Sequence, residues 1–176
     1  CGPTIRPHNV SYPAPIRKRC RSGHDNIADI RCCDHYSPMS ECGSSRSEAR
    51  VRKALEAVYE TFSTHTPAVI EGCPCCIATR GVDVLLTTPL QTLTGQQLWR
   101  YVSGVFLTVG GEADFRYFLP RILDISVTDP ANANDSEIVL GKLALANWRM
   151  WNIKEQEVIE EFLDAWFEMA LVQDLA

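Results

Sequence analysis

From residue 46 onward, apolar side chains recur every three or four positions, the repeat of one helix face, and they do so in five separate blocks. In the first block Val51, Leu55, Val58, Tyr59 and Phe62 make the stripe, which predicts an amphipathic helix over residues 46–62. Ser45 and Glu48 have the spacing of a capping box at its start, and the threonines and Pro67 of "STHTPAV" end it. A second capping box, Thr94 with Gln97, opens a helix whose apolar face is Leu98, Tyr101, Val102, Val105 and Val109, stopped by Gly110 and Gly111. The third block lines up Phe115, Phe118, Leu119, Ile122 and Leu123. Pro120 interrupts it and, lacking an amide proton, either kinks this helix or begins a new one.

"TDPANAND" reads as a loop, after which Asp135 or Ser136 caps a helix carrying Val139, Leu140, Leu143, Ala144, Trp148 and Trp151. Asn152 and Glu155 form a third capping box and open a last helix over about residues 153–173. Its period turns Val158, Ile159, Phe162, Leu163, Trp166, Phe167, Ala170 and Leu171 inward, and Glu155, Glu157, Glu160, Glu161, Asp164 and Glu168 outward. Trp99, Trp148, Trp151 and Trp166 fall on or near these stripes and are expected in the core, while Met150 and Trp151 flank a helix end where an exposed apolar patch would bind a partner. No alternating pattern competes, and only "DVLLTTP" suggests a brief extended segment. The predicted fold is all-α, a bundle of about five helices packed as hairpins around one core.

Before Ser45 the pattern disappears. Pro3, Pro7, Pro13, Pro15 and Pro38 and a Ser-rich close read as a disordered head over residues 1–44, ahead of a single helical domain over 45–176. Met39 makes a sensible natural start, so residues 1–38 are expected to lie outside the natural coding sequence, which leaves Cys1, Cys20, Cys32 and Cys33 without a function. With 45% hydrophobic and 22% charged residues the chain is in the globular range, and at this length its core needs no disulfide. It carries no run of 18 apolar residues and no apolar stretch of a secretory signal, so the expectation is no membrane insertion and a reducing cytoplasm.

Charge narrows the partners. Residues 46–176 hold 11 Lys or Arg against 18 Asp or Glu, and an acidic body repels phosphate backbones, so no nucleic-acid partner is expected. The basic "RKRCR" stretch, Arg17 to Arg21, reads as a solvated tail. A protein partner fits better, and the acidic face of the last helix is one surface for it. Asp114 and Arg121 would be charged neighbours across two helical turns, and Arg121 with Asp124 is an i, i+3 pair. The chain has no GxSxG, P-loop, HExxH or Rossmann glycine pattern, which points away from catalysis.

The candidate chemistry is concentrated in "EGCPCCIATR", residues 71–80. Cys73 and Cys76 make a CxxC whose thiolates converge across a tight turn, as in half of a zinc ribbon. The second half is absent, which leaves Cys75, His65 and Cys42 as completing zinc ligands. The adjacency of Cys75 to Cys76 sends its side chain elsewhere, so Cys73 and Cys76 are expected to act as the pair. Two other readings stand beside the metal site: a redox pair, which normally requires a helix N-terminus and a βαβ setting, and small thiols packed in a buried turn.

Downstream, "TPLQTLTGQQLWRYVSGVFLTVGGEADFRYFLPRIL" with the upstream CxxC resembles an uncharacterised family of small bacterial all-α proteins. The shared features are Cys73 and Cys76, Pro89 with Leu90, Tyr101, Thr108 to Gly110, the Asp114 to Arg121 segment DFxxFLPR, and the Gly-Lys-Leu-Ala helix at 141–144. Members of that family carry a histidine where Tyr117 stands, and the resemblance implies no activity. The expectation is a non-catalytic cytoplasmic protein-interaction module with a structural zinc at the CxxC. The alternative is a small thiol-dependent redox protein or sensor using Cys73 and Cys76.

Overall fold

A computed structural model describes residues 39–77 and 81–174, with the side chains of residues 39–45 and of Cys76 outside the description. The expected disordered head before Met39 therefore lies outside the described residues. Within the compact unit Ser37–Ala176 the described residues are all-α. Its elements are α1 (Met39–Thr61), α2 (Pro74–Ile77), α3 (Val82–Thr87), α4 (Gly95–Gly104), α5 (Glu112–Thr128), α6 (Ser136–Leu145) and α7 (Ile153–Asp174), with short 3-10 turns at Leu90–Thr92 and Trp148–Met150. Isolated bridges replace strands among the described residues. The predicted extended "DVLLTTP" is mostly the helix α3, whose Val82 and Leu85 are buried.

The centre of the molecule is α5. Ten of its residues are buried, among them Phe115, Phe118, Leu119, Ile122 and Leu123, and a helix apolar around most of its circumference must be enclosed by its neighbours. It touches α1, α4 and α6. Pro120 lies inside it without breaking it; the missing amide forfeits one helical hydrogen bond at a position the surrounding core holds closed.

The most extensive helix contact joins the first and last helices, α1 and α7, rather than a sequential hairpin. They run antiparallel: Phe62, just past α1, meets Trp151, just before α7, with ring centroids 5.7 Å apart, and Arg50 reaches Glu161 at 3.0 Å and Glu168 at 2.5 Å. Val51, Leu55 and Val58 of α1 and Ile159, Phe162, Ala165 and Met169 of α7 are buried at i, i+3, i+4 spacings. α1 is already helical at Met39, the first described residue, so Ser45 lies within the helix rather than at the cap the pattern predicts.

Two of the predicted capping boxes are present. Thr94 Oγ1 accepts from Gln97 N at 3.3 Å while Gln97 Oε1 accepts from Thr94 N at 2.8 Å, and Asn152 and Glu155 exchange the equivalent bonds at 3.0 and 3.3 Å. α4 is shorter than its stripe suggests: it stops at Gly104, Phe106 takes φ 66°, and Val105 and Val109 close a turn across Leu107. Buried Lys142 stabilises that end by donating to Ser103 O at 3.1 Å and Val105 O at 3.0 Å, a cation placed where helical carbonyls lack partners. Buried Asn134 adds bonds to Trp99 O at 3.2 Å and Ser103 Oγ at 3.0 Å.

Several side chains face other directions than their period implies. α6 ends at Leu145, so Trp148 and Trp151 are buried from a 3-10 turn and its flank rather than from the helix, while Leu140 is exposed. Trp99 is half exposed and Phe167 and Leu171 face outward, so all three leave the predicted core. Glu155 faces inward, because its place in the capping box folds the carboxylate back toward α5, where Arg116 takes it. Asp114 and Arg121 find separate partners: Tyr101 for the first, Asp124 and Leu93 O for the second.

Candidate functional site

The cysteine turn is held against the loop that follows α4. Gly72 bridges Val109 in antiparallel fashion, Cys73 N donates to Thr108 O at 3.0 Å, and Gly110 N donates to Glu71 O at 2.6 Å. This approach requires glycine at 72, where a Cβ would meet Thr108 O at 2.8 Å and Val109 Cα at 2.9 Å. Cys73 O then accepts from Ile77 N at 3.0 Å and closes α2, and half-buried Ile77 packs on the core. Pro74, between the first two cysteines, fixes its own φ and confines Cys73 to extended backbone.

The result brings together Cys73 and Cys75, whose Sγ atoms lie 2.7 Å apart, with Cys73 half-buried and Cys75 exposed. Cys75 therefore turns toward Cys73 rather than away from it. The expected partner, Cys76, belongs to α2, but its side chain lies outside the described residues, as does that of Cys42. Among the described residues no three His, Cys, Asp or Glu side chains form a metal-holding group.

His65 belongs to a second feature. With Thr64 and Pro67 it lines one side of a groove of about 510 Å³, whose other side is Glu112, Ala113, Arg116 and Glu155. The loop is tied down by a 3.0 Å hydrogen bond between Thr66 Oγ1 and Tyr117 Oη. Arg116 engages both carboxylates, Glu112 at 3.2 Å and Glu155 more closely, and its guanidinium lies over the Trp151 ring at 4.8 Å from the centroid. With both acids engaged by one guanidinium, the groove presents an exposed imidazole beside a cluster of one cation and two carboxylates.

The remaining buried polar groups maintain the frame. Tyr101 Oη donates to Asp114 Oδ2 at 2.5 Å, and Asp114 Oδ1 accepts from Gly111 N at 2.9 Å, joining α4 to the start of α5. Burial, reinforced by the Asp114 carboxylate, pushes the Tyr101 phenol far above its ordinary range. Tyr59 donates to Asp124 Oδ2 at 2.9 Å and is raised for the same two reasons, while Arg121 shares Asp124 and reaches Leu93 O at 2.7 Å. Periodicity alone would not reveal Lys142 or Glu155 as interior groups; for Glu155 the third position of a capping box was the available signal.

Compared with protein families, curated proteins and solved structures, the chain matches none. Its class is given by the fold: an all-α protein with an exposed cysteine turn, among whose described helices none is long and apolar enough to cross a membrane.

Proposed function

We propose that this chain is a non-catalytic protein-interaction module of the cytoplasm, docking through the corner between α6 and α7. The observation that carries the reading is exposure: Leu145, Met150 and Ile153 are 55%, 77% and 69% exposed, within one short stretch of chain. Single exposed apolar residues are ordinary, but three large ones around one turn leave apolar surface that a partner can cover. The corner is built to hold its shape. Trp148 and Trp151 anchor it from beneath, Arg149 stacks on the Trp148 ring at 4.6 Å, and the Asn152–Glu155 box fixes the entry to α7. Exposed Glu157, Glu160 and Asp164 follow on α7, so the complementary partner carries an apolar anchor flanked by basic side chains.

The test uses the intact chain as bait in host lysate beside the double variant Met150→Glu, Ile153→Glu. Both positions are exposed, so the variant should keep its helical circular dichroism and melting temperature. Proteins retained by the parent and lost from the variant support the reading. Identical capture by the two baits refutes it.

A further inference from the structure

We infer that the outward face of α7 is a coiled-coil seam for one helix of a basic partner protein, a helix with Lys or Arg at its central facing positions and large apolar side chains at both ends. The inference rests on the docking reading above and names the partner, carrying the contact from the α6–α7 corner along α7 to its far end.

Spacing carries it. Ile153, Glu157, Glu160, Asp164, Phe167 and Leu171 follow one another at intervals of four, three, four, three and four, the heptad repeat that keeps one stripe of a helix turned toward a facing helix. All six are exposed, and they lie opposite Ile159, Phe162, Ala165 and Met169, which face the core. The apolar members stand at the two ends of the stripe: Ile153 is 69% exposed, Phe167 67% and Leu171 46%. At 1.5 Å per residue the stripe runs about 27 Å, long enough to grip a helix at both ends. The described residues carry isolated bridges rather than strands, so no sheet edge competes, and the contact is helix against helix.

The acids between the apolar ends select the occupant. In a second copy of α7, whether parallel or antiparallel, Glu160 and Asp164 would meet acids at the facing positions, and like charges there disfavour self-pairing. Lys or Arg at those positions meets carboxylates instead. Glu160 already has a cation near it, Arg149 at 3.4 Å, in an exposed pair that a partner's cation can join or replace.

The probe is a fluorescently labelled synthetic helix of about three heptads, with Leu at the seam positions of its outer heptads, Lys at those of its central heptad and Gln or Ala elsewhere. It is titrated with the full chain by anisotropy, beside a twin that carries Glu in place of Lys. The Lys helix should bind at least about tenfold more tightly than the Glu helix, and Phe167→Gln with Leu171→Gln should weaken it about tenfold. Glu157→Lys with Asp164→Lys should reverse the preference, a readout that a merely adhesive surface would not give. Every substituted position is exposed, so helical circular dichroism should match the parent in each variant. No binding of the Lys helix, equal binding of the two helices, or unchanged affinity in the Phe167, Leu171 variant overturns the inference, as does a dimer of this chain that the same variant dissociates. The corner is tested apart from the seam by Leu145→Glu with Met150→Glu, both of which lie off α7. Loss of captured lysate proteins from that variant, with no affinity of the parent for the Lys helix, keeps the docking reading and overturns the seam.

Discussion

At the scale of single residues, the groups that set this protein's behaviour are buried polar side chains rather than charged surface ones. Tyr101 and Tyr59 are both raised, first by burial and then by a neighbouring carboxylate, Asp114 and Asp124 respectively. A raised phenol stays neutral in the fold and ionises near its ordinary value of about 10 once unfolded. The stability it contributes is therefore complete below about pH 10 and is lost as pH climbs beyond that, toward the folded values. In a spectrophotometric titration these two of the five tyrosines should ionise only together with the loss of helical circular dichroism. Smooth ionisation of all five with the helices intact would show that the two pairs are open to solvent. The Tyr101 position was legible as a core stripe, but its bond to Asp114 was not, since hydrophobic period says which face is inside and nothing about what a polar tip meets there. Trp99 shows the converse: it is large and apolar, yet it is half exposed because it sits one position off the buried Leu98–Tyr101–Val102 face of its helix.

At the scale of elements, capping chemistry was legible at two of its three predicted places, Thr94 and Asn152, whereas Ser45 lies inside α1. Thr94 and Asn152 cap as their spacing implies, since both partners lie within one turn and need no tertiary arrangement. Asn152→Ala should cost roughly 1 kcal/mol, read as a lower denaturant midpoint at unchanged slope, and it should also loosen the Glu155 carboxylate that Arg116 holds. An unchanged midpoint would mean α7 is fixed wholly by its packing. Helix ends set by distant groups were not legible: α4 ends at Gly104, where Lys142 from α6 takes two carbonyls, so the stop signal lies in another element. The cysteine turn was visible as chemistry: the sulfurs of Cys73 and Cys75 lie side by side across Pro74, while the side chain of Cys76, the partner that spacing favours, lies outside the described residues.

For the whole molecule, one core enclosed by α1, α4, α5, α6 and α7 implies cooperative unfolding. Phe162 is completely buried and lies 5.8 Å from the Trp166 ring. Phe162→Ala should cost about 3–5 kcal/mol, with far-UV dichroism and tryptophan fluorescence shifting together in denaturant. Separated transitions would divide the bundle into independent parts. Which helices pair was the least legible property, since each stripe states only that a face must be covered. The antiparallel pairing of α1 with α7 also has a consequence in time. During synthesis α1 emerges long before its main neighbour exists, and the residues between Thr61 and Ile153 take on the order of 5–20 s to translate. Throughout that interval the apolar face of Val51, Leu55 and Val58 lacks its main native cover, so the nascent chain is a natural client for a ribosome-associated chaperone, and the bundle closes only when its last helix arrives.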